Sequence, residues 1–159
     1  MPKPTTLPLV YSCSGCSNVA QLANTLAVRL DRAGLAEMSC IAGVGGRVNS
    51  LVNKANSGRP ILAIDGCPLH CARACLAQHG VTADVHITLS SYGLRKRYRE
   101  DCSEDETNLL FEDMKGIIAS RAFGWFCHSR ILALRVQPAG ERDGCETWIN
   151  FFSRLTEPT

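Results

Sequence analysis

The chain of 159 residues has little of what would place it in several common classes of protein. Its uncharged stretch 4–28 is interrupted by Pro4, Pro8 and many hydroxyl and amide side chains, which argues against a membrane-spanning helix. Residues 1–15 contain no apolar segment followed by a small-residue cleavage site, so no signal peptide is predicted. The net charge of +2 is too small to indicate nucleic-acid binding by itself. No grouping of serine, histidine and aspartate, and no pair of carboxylates, argues for hydrolytic catalysis.

Cysteine is the one residue type that is unusually frequent. Nine of the 159 residues are cysteines, a fraction below the about 8–10% that marks small secreted disulfide scaffolds. Because the number is odd, complete disulfide pairing within the chain is impossible. We therefore expect a cytoplasmic protein with reduced thiols, in which clustered cysteines indicate metal binding or redox chemistry rather than structural disulfides.

Strand and helix patterns alternate over the first two thirds of the chain. The predicted strands are Leu7–Tyr11, Glu37–Val44, Pro60–Asp65 and Val85–Leu89. The predicted helices are Asn18–Ala33, Arg47–Asn56 and Pro68–Gly80. The third helix is expected to start at Pro68, because proline is favoured at the first helical position. This alternation predicts an α/β fold, namely a single three-layer domain with a mostly parallel sheet.

The pattern changes after residue 102. Residues 1–102 form the predicted α/β domain. An acidic run followed by helical periodicity predicts a helix over 103–121 that docks on this domain. Residues 122–159 show no clear pattern, and they are assigned as a C-terminal extension of unknown fold.

Two cysteine clusters follow the first and third predicted strands. Cys13 and Cys16 form a Cys-x-x-Cys turn before the first helix, and Cys67 and Cys71 lie in the corresponding turn before the third helix. Residues four apart on a helix lie side by side, so Cys67 and Cys71 are expected to converge. The helix N-termini are expected to lower the pKa of these thiols. In a flavodoxin-like strand order 2-1-3-4 the first and third strands are neighbours at about 4.8 Å, and all four thiolates would meet in one crevice. A 3-2-1-4 order would separate them, so the cysteines favour the 2-1-3-4 order.

The other cysteines are interpreted from their positions in the predicted elements. At about 100° per residue, Cys75 lies nearer than Cys71 to the apolar face of the third helix. Cys71 is therefore assigned as the metal ligand, and Cys75 as a core residue or a reserve ligand. Cys40 is expected to be a buried small hydrophobe inside the second strand. The remaining three are interpreted as incidental thiols: Cys102, Cys127 and Cys145.

The chain contains three separated motifs: Y-S-C-S-G-C-S-N from Tyr11 to Asn18, I-A-G-V-G-G from Ile41 to Gly46, and D-G-C-P-L-H-C-A from Asp65 to Ala72. They resemble the motifs of the DGC-domain family, which is thought to bind zinc. The family takes its name from the tripeptide that is Asp65-Gly66-Cys67 here. The similarity runs from about Leu7 to Arg97. The resemblance implies a zinc site on Cys13, Cys16, Cys67 and Cys71, and it implies no particular reaction.

Metal binding is weighed against redox chemistry. Four thiolates match a closed tetrahedral zinc site, although an iron–sulfur cluster also takes four cysteines. The main alternative is a thiol–disulfide oxidoreductase that uses Cys13 and Cys16, since a strand–turn–helix setting suits a redox Cys-x-x-Cys. Further cysteines nearby favour metal, with zinc as the first choice and the iron–sulfur cluster behind it. The sequence leaves open whether the protein is an enzyme, and it identifies no partner other than a metal ion.

Other features are weighed between a functional role and an ordinary structural one. Asp65 is either an anchor for the backbone of the Cys67 turn or an ordinary turn aspartate. His70 is expected to face solvent, and His86 is interpreted as an ordinary strand residue. Residues 43–46 favour a tight turn over an anion site. Residues 95–99 favour a solvated basic segment over a nucleic-acid contact.

Overall fold

The computed structural model describes residues 7–120 of the chain. The C-terminal extension assigned to residues 122–159 lies outside this range. In chain order the elements are β1 (Leu9–Ser12), α1 (Asn18–Arg32), β2 (Glu37–Met38), α2 (Ile41–Gly45), α3 (Asn49–Ala55), β3 (Ile61–Asp65), α4 (Cys71–Ala77), β4 (Val85–Thr88), a 3₁₀ turn (Leu89–Tyr92) and α5 (Glu104–Ala119).

The four strands form one parallel sheet in the order β2-β1-β3-β4. β1 pairs with β3 along its whole length, from Leu9 opposite Ile61 to Ser12 opposite Ile64. β2 lies on the outer side of β1, and β4 lies on the outer side of β3. The flavodoxin-like 2-1-3-4 order predicted from the cysteines is confirmed.

Helices cover both faces of the sheet because both sets of alternating side chains in its central strands are apolar. On one face, Val10, Leu62 and Ile64 pack in a cluster with buried side chains of α1 and α5. On the other face, Leu9 and Tyr11 pack with buried side chains of α2, α3 and α4. Burial on both faces is typical of parallel sheets, and it gives the predicted three-layer α/β domain.

α1 begins and ends where its sequence signals place it. The Ser17 hydroxyl oxygen accepts a hydrogen bond from the Ala20 amide at 3.4 Å and so caps the first turn. Gly34 follows the last turn with φ 68, a left-handed conformation that glycine adopts without steric strain. The cap fixes the chain directly after Cys16.

The prediction for the second strand is wrong over most of its length. β2 has only two residues, and the chain then turns into the short helix α2. Cys40 is exposed rather than buried in a strand, and its sulfur accepts a hydrogen bond from the Gly43 amide at 3.4 Å as the helix cap. The glycines of this segment allow close packing that the strand interpretation overlooked. A Cβ on Gly43 would lie 2.0 Å from a methyl carbon of Leu51, and a Cβ on Gly45 would lie 2.9 Å from the Cys75 sulfur.

The sequence predicts too early a start for the third helix, which corresponds to α4 in the structure. α4 begins at Cys71, and its preceding residue, His70, has φ 50. Pro68 is therefore not the first helical residue, and Cys67 lies in the turn before the helix. The argument that Cys67 and Cys71 converge through helical spacing is wrong for this reason.

α5 lies in the segment for which a helix is expected from the acidic run. Its first turn is fixed by reciprocal hydrogen bonds between Ser103 and Glu106, one of which joins the Ser103 amide to the Glu106 carboxylate at 2.7 Å. Leu110 and Met114 of this helix are buried in the cluster that contains α1. Across residues 7–120, no helix is long and apolar enough to cross a membrane.

Candidate metal centre

The two cysteine turns meet at the carboxyl ends of β1 and β3. We call this region the cysteine edge, and its four thiols belong to Cys13, Cys16, Cys67 and Cys71. Strand pairing continues one residue past β1, because the Cys13 amide donates a hydrogen bond to the Ile64 carbonyl at 3.0 Å. The Gly66 amide then donates to the Cys13 sulfur, with 3.1 Å between nitrogen and Sγ. The backbone of the second turn therefore lies directly against the first cysteine.

Glycine is required at position 66 by the first turn of α1. A Cβ on Gly66 would lie 2.6 Å from the Val19 carbonyl oxygen and 2.9 Å from the Ala20 amide nitrogen. These are rigid backbone atoms, so a larger residue would push the turn away from the helix. The central residue of the Asp-Gly-Cys tripeptide thus allows the close approach of the two turns.

Cys13 is a buried thiol with an unfavourable environment for its charged form. Burial raises its pKa from the ordinary 9.0 to about 11. The Gly66 hydrogen bond lowers the pKa in part, whereas negative charge on Asp65, Cys71 and Cys67 raises it further. The expectation that a helix N-terminus lowers this pKa is wrong, because desolvation outweighs the stabilising contributions.

The other three thiols of the cysteine edge are more open. Cys16 is exposed just before the α1 cap, Cys67 is half-buried, and Cys71 is exposed as the first residue of α4. With the side chains as they stand, residues 7–120 contain no group of three or more His, Cys, Asp or Glu side chains that could hold a metal ion. The structure brings the two turns together, but it does not bring the four sulfur atoms into a coordination shell.

Three more of the described cysteines lie outside the cysteine edge as defined here, although Cys75 is close enough to Cys71 for the charge of that thiol to affect its pKa. Cys75 is half-buried against the backbone of Gly45, and burial raises the pKa of its thiol. Cys102 is half-buried between α1 and α5, and burial raises its pKa as well. Cys40 is exposed at the cap of α2. Cys127 and Cys145 lie outside the described residues.

Asp65 joins the end of β3 to two other elements. The residue is 0% exposed. One carboxylate oxygen accepts from the Ala72 amide at 2.8 Å, and the other accepts from the Arg73 amide at 3.2 Å. The second oxygen also lies 2.9 Å from Nε2 of His86 on β4. Of the two interpretations of Asp65, the structure favours the anchor. The carboxylate holds the backbone at the start of α4, however, and not the Cys67 turn itself.

Two histidines extend this arrangement towards β4. The rings of His70 and His86 meet edge to face, with centroids 4.8 Å apart. Nε2 of His70 lies 3.0 Å from the Thr88 hydroxyl. The expectation that His70 faces solvent is therefore wrong, and His86 is not an ordinary strand residue.

Family membership follows from comparison with known proteins. The DGC domain matches residues 9–114, a range that includes both cysteine turns and the strand with His86. The chain belongs to the DGC-domain family. It is 65% identical over 112 residues to the anaerobic and virulence modulator AnvM of Pseudomonas aeruginosa, an alignment that covers 70% of this chain and 86% of AnvM. No solved structure matches the chain significantly.

The histidine contacts of this DGC domain were missed by sequence reasoning, although a signal for them exists. In the strand segment Val85–Thr88, polar residues alternate with apolar ones, so His86 and Thr88 share one face. Strand register places His86 opposite Ala63 and Thr88 opposite Asp65. Two polar side chains on the same face of a half-buried strand are expected to have hydrogen-bond partners, and this expectation indicates a polar network beside the site.

A basic segment also lies beside the cysteine edge of the DGC domain. We call residues 95–99 the basic strap. Asn18 is only 1% exposed and makes three hydrogen bonds to the strap. Its side-chain Nδ2 donates to the Arg95 carbonyl at 3.0 Å, and its Oδ1 accepts from the Arg97 amide at 2.7 Å. Its backbone amide donates to the Arg97 carbonyl at 3.0 Å. Lys96 of the strap lies over the ring of Tyr98, with its ammonium 5.4 Å from the ring centroid. The contact with Tyr98 is the largest cause of the raised pKa of Lys96, and negative charge on Cys67 and Cys16 raises it as well.

Proposed function

We propose that this protein binds a zinc ion through Cys13, Cys16, Cys67 and Cys71, and that it buffers, senses or transfers the metal. One observation carries the proposal. The hydrogen bond between the Gly66 amide and the Cys13 sulfur sets the two cysteine turns side by side at neighbouring strand ends.

The donor set has the chemistry that zinc prefers. Structural zinc sites are closed and tetrahedral, and four cysteine thiolates are one of their common ligand sets. Cys16 and Cys71 are exposed, so their side chains can change rotamer without displacing the core. Rotation of these side chains towards Cys13 is the rearrangement that the proposal requires.

The proposal requires the bound cation to stabilise the thiolate forms of these cysteines, because burial disfavours negative charge on Cys13. A bound zinc ion supplies the positive charge that makes thiolates stable at neutral pH. The Gly66 amide donates to the Cys13 sulfur and thereby stabilises negative charge on it. The Lys96 ammonium interacts electrostatically with Cys67 and Cys16, so it offsets part of the negative charge of a site with four thiolates.

The size of the hydrophobic core favours a zinc site that the domain does not need in order to fold. The sheet residues Val10, Leu62 and Ile64 are fully buried, and Cys13 is the proposed ligand that belongs to their cluster within residues 7–120. A domain with such a core does not need zinc in order to fold, unlike a small zinc finger. The Pseudomonas aeruginosa relative is named as a modulator, and we extend a regulatory role of this kind, in place of catalysis, to the present chain.

Cysteine variants test the ligand set. Zinc content is measured on full-length protein purified without oxygen, with about one ion per chain expected for the wild type. Cys16→Ser and Cys71→Ser are expected to abolish zinc binding. Cys102→Ser, Cys127→Ser and Cys145→Ser serve as matched controls and should retain it. Loss of zinc in Cys75→Ser together with its retention in Cys71→Ser would contradict the assignment of Cys71.

The same preparation distinguishes the other two chemistries. Brown protein with visible absorption would indicate an iron–sulfur cluster in place of zinc. Metal-free protein with disulfide reductase activity, lost in Cys16→Ser, would indicate an oxidoreductase. Either result would overturn the proposal.

A further inference from the structure

The start of α4 is capped by a carboxylate that lies outside the helix, at the end of β3. The first amides of a helix have no partners within the helix, and a side chain of the capping residue normally accepts from them. Here the preceding residue, His70, makes no capping hydrogen bond with its side chain. The Ala72 and Arg73 amides donate instead to Asp65, at 2.8 and 3.2 Å.

This connection closes a loop that contains Cys67 and ends beside Cys71. Asp65 is the last residue of β3, and Ala72 is the second residue of α4. Because the Asp65 carboxylate ties these two points together, the chain between them is held at both ends. The separation of Cys67 from Cys71 is therefore set by this carboxylate, together with the hydrogen bond from the His70 amide to the Cys67 carbonyl at 3.1 Å, rather than by helical spacing.

His86 fixes the direction of that carboxylate. Its Nε2 donates to the same oxygen that accepts from the Arg73 amide, at 2.9 Å. The His86 ring is packed edge to face against His70, which in turn contacts the Thr88 hydroxyl at 3.0 Å. An imidazole held by β4 thus sets how the end of β3 meets α4.

We propose that Asp65 and His86 are positioning residues for the cysteine edge. Asp65 fixes Cys71 relative to Cys67, and His86 orients the Asp65 carboxylate for this task. The consequence for metal affinity rests on the proposed zinc function, whereas the consequence for the backbone of α4 does not. Partners that orient metal ligands in this way typically change metal affinity about 10–100-fold when they are removed.

Two substitutions at position 86 separate positioning from packing. His86→Gln keeps an N–H donor near the place of Nε2, and His86→Leu keeps similar volume without a donor. We expect His86→Leu to bind zinc about 10–100-fold more weakly than wild type in competition with a chromophoric chelator. His86→Gln should stay within a few-fold of wild type, and Asp65→Asn should resemble His86→Leu. Cobalt(II) substitution adds a spectroscopic readout, since altered ligand geometry changes the d–d bands.

A second readout uses metal-free protein. Amide hydrogen exchange followed by mass spectrometry should accelerate over residues 66–75 in His86→Leu and not in His86→Gln, while the exchange of α1 stays unchanged in both variants. Equal exchange over residues 66–75 in wild type and His86→Leu would overturn the positioning role, as would equal zinc affinity. Wild-type protein that binds no zinc would overturn the proposed function alone, because the exchange experiment still decides the inference. If Asp65→Asn fails to fold, the pair of variants at position 86 remains decisive.

Discussion

The Gly66 amide nitrogen and the Cys13 sulfur lie 3.1 Å apart, and this hydrogen bond joins the ends of two neighbouring strands. It exists because Gly66 packs against the backbone of Val19 and Ala20 with no room for a side chain. One position therefore serves two purposes: it seats the second cysteine turn on α1, and it presents an N–H group to the first cysteine.

Substitution of Gly66 tests this close approach. Gly66→Ala places a Cβ within 2.6 Å of the Val19 carbonyl oxygen. We expect the free energy of unfolding to fall by about 1–3 kcal/mol, as for overpacked sites, and zinc affinity to fall with it. Urea denaturation measures the first effect, and chelator competition measures the second.

Gly116→Ala is the matched control for this substitution. Gly116 lies within α5, and a Cβ there would meet nothing within 4 Å. Alanine is favoured over glycine in a helix by about 0.5–1 kcal/mol, so this variant should be as stable as wild type or more stable. A Gly66→Ala protein that matches the stability of wild type would show that the two turns do not need their close contact.

The raised pKa of Cys13 should make the stability of the metal-free protein depend on pH. The folded pKa is about 11 and the ordinary value is 9.0. Because the folded state holds this proton more tightly, the stabilisation is fully present below about pH 9 and is lost as pH rises towards about pH 11. Urea denaturation with reductant and chelator, repeated across this range, should show the decline.

Cys13→Ala isolates this contribution from other groups that titrate at high pH. Burial raises the pKa of Tyr11 and of Cys75 as well, so the wild-type decline has several sources. The variant lacks the Cys13 proton and should lose less stability than wild type over the same pH range. Parallel curves for the two proteins would contradict the assigned pKa.

Much of the fold could be predicted because the decisive signals are local. β3 is an apolar run between glycines, and α1 has a serine cap at Ser17 and a glycine at Gly34, so the positions of both elements follow from the sequence. The strand order could be predicted from the hypothesis that Cys13 and Cys67 bind the same metal ion, because that hypothesis requires neighbouring strand ends.

The errors arose where a contact outside the element affects its local structure. In the helix Ile41–Gly45, the glycines allow close packing against Leu51 and Cys75, which no periodic pattern within the segment encodes. α4 starts at Cys71 because Asp65 caps it across the intervening turn. The thiol pKa of Cys13 depends on burial, which helix position alone does not reveal.

Removal of the Asn18 side chain should release the basic strap. Asn18→Ala eliminates two hydrogen bonds of a buried amide group, to the Arg95 carbonyl and from the Arg97 amide. We expect a loss of about 1–3 kcal/mol in the free energy of unfolding and faster tryptic cleavage within residues 95–99. Mass spectrometry of the early fragments identifies the cleavage sites.

Asn53→Ala provides the comparison for the strap variant. Asn53 is exposed on α3, so its removal should change stability by less than about 0.5 kcal/mol and leave cleavage of the strap unchanged. Equal cleavage rates for Asn18→Ala and wild type would mean that other contacts hold the strap.

The domain should stay folded when a chelator removes zinc. The core of the domain is formed by buried side chains such as Leu26, Leu62 and Met114, and of the four thiols of the cysteine edge this cluster includes that of Cys13. We expect the far-UV circular dichroism of the metal-free protein to match that of the zinc-loaded protein, with a lower melting temperature because bound ligand stabilises the folded state. Global unfolding on chelation would show that the domain requires zinc in order to stay folded.

The most direct measurement for the whole account is X-ray absorption at the zinc edge on full-length protein purified without oxygen. Four sulfur neighbours at about 2.3 Å are the expected shell for a site built from Cys13, Cys16, Cys67 and Cys71. A shell of nitrogen or oxygen neighbours, or protein that neither carries nor takes up zinc, would contradict the proposal that these two turns form a zinc site.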